Sequence, residues 1–174
     1  MKALAKQNLI IIVALTVLGV LGRWLPHPPN FTPVIAIALY SGLRLRPRSL
    51  AIVVPFAIMI LSDLMLGFHS IAFFTYPVLI LLAVMGTGKV QNSIKFFDVA
   101  SFSVLGAVLF FLVSNLGVWV MTEMYTHTAQ GLMACYVAGL PFFQSTLVST
   151  LIFGIVFYAV DKMALRALSS AKAG

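Results

Sequence analysis

Asp63 stands about four residues inside the end of an otherwise apolar run, Ser49 to Gly67. An ionisable group at such a place is expensive, and is paired or functional when it occurs. Two readings stay open for it. Either Asp63 forms a salt bridge with Arg23 or accepts hydrogen bonds from loop backbone, or it touches or shapes a pocket. At the same end of the predicted elements lie Arg23, His27, His69 and Tyr76, joined from the C-terminal half by Asn115, Trp119, Glu123, Tyr125 and His127. Carboxylate, guanidinium, imidazole and phenol together can hold a polar ligand or move a proton, and three histidines can hold a metal. His27 sits inside the proline-rich string Pro26-His27-Pro28-Pro29, so it is either a hydrogen bonder that locks the loop or a ligand contact. It is paired here with Asp63 as the expected pocket pair. His69 and His127 read as solvated loop residues, and Cys135 as a packed small apolar side chain. Aromatic residues near these groups, such as Trp24, Phe31, Phe68 and Trp119, serve as interface anchors or as the walls of a small-molecule pocket.

The elements that carry these residues are membrane-spanning. Hydrophobic residues make up 61% of the 174 positions and charged residues 9%, and the mean hydropathy is +1.09. Six apolar stretches, near residues 8–25, 32–44, 49–67, 71–88, 98–116 and 137–160, predict an all-α bundle of six transmembrane helices in one integral membrane domain, residues 1–174. With the N-terminus inside, 10 of the 11 Lys and Arg residues fall in inner segments: Lys2 and Lys6, Arg44, Arg46 and Arg48, Lys89 and Lys95, and Lys162, Arg166 and Lys172. Only Arg23 falls outside, and His27, His69 and His127 fall one in each outer loop. Positive charge kept on the cytoplasmic side sets an N-in, C-in topology in the cytoplasmic membrane, with the candidate site facing the exterior. The net charge of +7 is thereby spent on topology, and nucleic acid is not an expected partner. Lys2 and Lys6 before the run Leu9 to Leu21 imitate a secretory signal, but no A-x-A-like site follows, so a retained first helix is expected.

Local patterns refine this reading. Four prolines between Pro26 and Pro33 make the first outer loop stiff and extended. The second apolar stretch is short for a full span, and its Ala38 and Gly42 would let another helix approach closely. Gly117 to Tyr136 is the longest outer segment, with Gly131 to Leu140 either a short re-entrant helix or the start of helix six. Helix six carries Ser145, Thr146, Ser149 and Thr150, with Ser145 and Ser149 one turn apart, small polar residues on a stripe suited to helix packing. No hydrolase elbow, zinc-protease helix, phosphate loop or C-x-x-C pair stands in the chain. No catalytic residue and no cofactor is therefore expected.

The string Arg23-Trp24-Leu25-Pro26-His27-Pro28-Pro29-Asn30-Phe31-Thr32-Pro33, followed by Ala36-x-Ala38-Leu39-Tyr40-Ser41-Gly42, is fairly specific. With Ser62-Asp63-x-x-x-Gly67, Ser114-Asn115-x-x-x-Trp119, Tyr125 and Cys135-Tyr136-x-x-x-x-Pro141-Phe142, it resembles small bacterial membrane proteins related to the substrate-binding (S) components of energy-coupling-factor vitamin transporters. The nearest type is the solitary cobalamin transporter. The resemblance implies an S-component-like six-helix bundle with a vitamin pocket under the outer loops, to which His27 and Asp63 contribute by position. The cobalamin proteins place a cobalt-ligating cysteine in the loop after helix three. Here no cysteine stands there, and His69 is the candidate for the cobalt of a bound corrinoid. Ala14 is followed four residues later by Leu18, so the Ala-x-x-x-Ala docking patch of module-sharing S components is absent. Uptake of a small organic nutrient such as cobalamin or a related compound is expected, with ligand contacts at Arg23, His27, Asp63, Tyr76, Asn115, Trp119 and Tyr125. The alternative is a small integral subunit of a larger membrane complex, without transport, in which partner subunits cover the bundle.

Overall fold

The computed structural model describes residues 2–87 and 94–173, with side chains for residues 5–87 and 94–164. Lys89 and the side chains of Lys2, Arg166 and Lys172 lie outside the described residues. Every regular element described is a helix: α1 (Lys2–Trp24), α2 (Val34–Arg44), α3 (Arg48–Leu66), α4 (Ala72–Gly86), α5 (Phe96–Met121) and α6 (Ala129–Ala173). Four are long and apolar enough to cross a membrane, over Ala5–Trp24, Arg48–Leu66, Phe96–Met121 and Ala129–Ala164. Their outward faces are greasy. Leu9, Val13, Val17, Leu64, Val137 and Val160 each expose more than half of their surface. A water-soluble monomer rarely shows so much contiguous apolar surface, whereas lipid contact accounts for it.

Prolines set several boundaries. Pro26 follows the end of α1, Pro33 precedes α2 and Pro47 precedes α3, each where a missing N–H or a disfavoured helical neighbour costs least. Helix α3 stops at Gly67, whose φ of 94° lies in the region that a Cβ penalises. Asn30, at φ 59°, turns the proline-rich loop back toward α2.

Helix α2 is the centre of the molecule. Its 11 residues rise only about 17 Å, against about 30 Å of hydrocarbon, and Val34 to Leu39 are all buried. The small pair expected to admit a neighbour does so. A Cβ on Gly42 would meet Gly86 Cα of α4 at 2.9 Å, so the two backbones touch. Helix α3 contains Pro55, which cannot donate to the carbonyl of Ala51. The Ser41 hydroxyl of α2 fills that gap, lying 3.0 Å from Ala51 O and 2.8 Å from Ala38 O, its one hydrogen shared between them.

One boundary departs from expectation, and one open reading is decided. The long outer segment from Gly117 to Tyr136 contracts to residues 122–128, because α5 runs on to Met121 and α6 begins at Ala129. In the added turn of α5 Gly117 is the glycine that opposes the helix, and one glycine costs about 1 kcal/mol. Its missing side chain makes room for Phe74, whose Cγ lies 2.8 Å from where a Cβ would stand. Gly131 to Leu140 is the start of helix six, the second of its two expected readings, and α6 continues through Pro141. The packing stripe of α6 is Thr146, Ser149 and Thr150, all buried, while Ser145 is only half-buried.

Candidate functional site

Asp63 is completely buried at the end of α3 and held from three sides. Arg23 Nη1, from the last turn of α1, lies 2.7 Å from Oδ1. The Tyr76 hydroxyl of α4 donates to Oδ2 at 2.5 Å. His69 Nδ1, from the α3–α4 loop, stands 3.6 Å from Oδ2, too far for a hydrogen bond. No donor among the described residues is aligned on Oδ1, so the charge of Arg23 is its compensation. The same Nη1 donates to Ser62 Oγ and lies 3.3 Å from Met59 Sδ. Ser62 passes its own hydrogen to Ile58 O at 2.6 Å. The expected salt bridge of Arg23 with Asp63 is thus formed, within a network that ties α1, α3 and α4 together.

Above this network lies a cavity of about 400 Å³, within the range typical of small-molecule sites. All six helices contribute to its wall. Val34, Met59, Leu79, Phe110, Val118 and Phe142 make it apolar, and Arg23, Asn30, His69, Thr75, Asn115 and Tyr125 add polar groups. No carboxylate lines it among the described residues. The Asn115 amide donates to Phe111 O at 2.8 Å, and its Cγ lies 2.9 Å from where a Cβ of Gly139 would stand. Glycine at 139 is therefore what lets α6 close against the asparagine. Thr75 is buried in the wall with its hydroxyl unpartnered.

Of the residues expected at the site, Arg23, His69, Asn115 and Tyr125 line the cavity. Asp63 and Tyr76 stand behind Arg23 as its support. His27 does not join them. It is exposed in the proline-rich loop with Nδ1 2.8 Å from Pro28 O, the loop-locking of its two expected readings, while Asp63 is met by Arg23 and Tyr76 with His69 nearby. The reason is local: residues 67–71 bring the chain straight back over the end of α3, while the prolines hold the first loop away from it. Trp119 is also outside the wall. Its indole N–H donates to Thr126 O at 2.9 Å and its ring meets His127 edge-on at 5.4 Å, which fastens the α5–α6 loop. The three histidines do not gather into a metal site.

Several wall residues were not named as ligand contacts from the sequence, although a helical period marks them. Ile71, Thr75 and Leu79 recur every four residues, as do Phe110, Ser114 and Val118, and Cys135, Ala138, Gly139 and Phe142 follow the same face of α6. A second acid was also missed. Asp161 of α6, mostly buried at the opposite end of the bundle, accepts from Tyr40 at 3.0 Å and lies 3.2 Å from Arg44 Nε. The rule that picked out Asp63 applies to it equally.

A family of unknown function, DUF6580, matches residues 3–171, and the chain belongs to it. No curated protein and no solved structure matches the chain.

Proposed function

We propose that this DUF6580 member is a membrane protein that binds a small organic molecule in the cavity at the Asp63 end and takes it up across the cytoplasmic membrane. The supporting observation is the cavity itself: about 400 Å³, walled by all six helices, apolar with a few fixed polar groups. The sorted charges support an N-in, C-in arrangement of six spans with this cavity facing the exterior. α2 and α4 would be carried as short inner spans between the four long helices. The resemblance to vitamin-binding S components points to a nutrient as the cargo, and His69, which lines the wall, would be the residue to meet the cobalt of a bound corrinoid. A whole cobalamin exceeds the drug-sized molecules that such a volume encloses, so a smaller compound or a projecting part of a corrinoid suits it better.

The test is uptake by proteoliposomes carrying the purified chain alone, with labelled water-soluble vitamins and cobinamide as cargo. Ala138, which lines the cavity, is replaced by tryptophan in the control. Accumulation of at least one compound by the wild type, lost in Ala138→Trp, supports the reading. A chain that takes up none of them, or an Ala138→Trp chain that transports as well as wild type, overturns it.

A further inference from the structure

Arg23 is only partly spent on Asp63. Its contacts to Asp63, Ser62 and Met59 all come from one nitrogen, Nη1. Nε and Nη2 have no partner among the described residues, and Arg23 lines the cavity. These two nitrogens carry the parallel N–H bonds of the guanidinium edge that matches a carboxylate bidentately. The side chain is 17% exposed and Asp63 is 0% exposed, so the unspent edge is anchored from behind by a fixed buried charge. An arginine held this way loses little further freedom when it binds, which is the condition for a strong contact.

The rest of the wall has the same polarity. The side chains that line the cavity and carry or can acquire charge include Arg23 and His69 but no aspartate or glutamate, so a cationic group would meet no counter-charge there. Phe110, Phe142, Val118 and Leu79 offer an apolar bed of the size of a ring or short chain.

Resting on the ligand-cavity reading above, we infer that the ligand carries a carboxylate, bound by the Nε and Nη2 edge of Arg23, on an apolar body seated among Phe110, Val118 and Phe142. Asp63 then acts as a positioning residue, which aims the guanidinium and does not touch the ligand.

The experiment uses three compounds with one body: 4-phenylbutanoate, 4-phenylbutanamide and 4-phenylbutan-1-amine. Each is titrated into the detergent-purified full chain by calorimetry. The acid is expected to bind about tenfold or more tightly than the amide, and the amine not at all. Arg23→Lys keeps a positive charge for Asp63 but lacks the fork. It is expected to fold, shown by an unchanged elution profile and helical circular dichroism, and to weaken the acid about tenfold while leaving the amide within twofold. Amine binding equal to or tighter than acid binding, lost in Ala138→Trp, overturns the inferred class and leaves the cavity reading standing. Binding of the acid that Arg23→Lys does not change overturns the assignment to Arg23. Failure of all three to bind at millimolar concentration overturns the inference, and the uptake test then judges the cavity reading by itself.

Discussion

Asp63 shows what a buried charge asks of its neighbours. Its burial is complete, and it is met by a guanidinium at 2.7 Å and a phenol at 2.5 Å. Removing one member of such a pair leaves the other uncompensated, which typically costs about 3–5 kcal/mol, whereas replacing both with apolar groups is often close to neutral. Arg23→Met is therefore expected to lose about 3–5 kcal/mol of stability in detergent, and Arg23→Met with Asp63→Leu to recover most of it. A double variant as unstable as the two single losses added together would refute the pair as the structural centre of this end. The sequence marked Asp63 because hydrocarbon makes a charge conspicuous, and it named Arg23 as the partner because no other cation lay at that end. It ranked His27 above His69 for the pocket, and the cavity wall holds His69 instead. That choice depends on how two loops are folded, and residue types alone do not carry loop direction.

At the scale of the helices, small and hydroxyl residues do the joining. Lipid removes most of the hydrophobic drive between helices, so close backbone approach and interhelical hydrogen bonds carry the packing. Ser41 is a case where one side chain repairs another's defect, its hydroxyl covering the carbonyl that Pro55 leaves open. Ser41→Ala should cost about 1–2 kcal/mol, read by unfolding in mixed micelles. The same change in a Pro55→Ala background should cost clearly less, and equal costs in both backgrounds would argue against the repair. Gly42→Leu should be worse, because Gly86 Cα stands 2.9 Å from the added Cβ and a backbone cannot step aside as a side chain can. Loss of the monodisperse peak on size exclusion is the expected result, and a normal peak with unchanged thermal stability would contradict the close crossing. Helix positions were legible from the apolar periods, and Ala38 with Gly42 announced a close neighbour. The end of α5 was not legible and the start of α6 stayed open between two readings, because Gly117 and Pro141 are ordinary breakers that tertiary packing here overrides. The helical stripes through Thr75 and Ser114 were present in the sequence, but a stripe names a face and not what that face encloses.

The whole molecule is a bundle with a polar network near each end and an apolar outside. Arg23, Asp63 and Tyr76 close one end beneath the cavity, and Arg44, Tyr40 and Asp161 tie α2 to α6 at the other. The proposed topology makes a direct prediction about sidedness. In a Cys135→Ser background, a membrane-impermeant maleimide added to intact cells should label Ser70→Cys, in the exposed α3–α4 loop, and spare Lys6→Cys. Labelling in the reverse order would invert the orientation. The central claim, that the cavity is a ligand site, is tested most directly by native mass spectrometry of the detergent-purified chain with a panel of water-soluble vitamins, cobalamin, cobinamide and 4-phenylbutanoate. The account predicts that at least one compound binds at one copy per chain, that Ala138→Trp abolishes its adduct, and that His27→Ala leaves it intact. No adduct with any compound, or an adduct that survives Ala138→Trp, would contradict it.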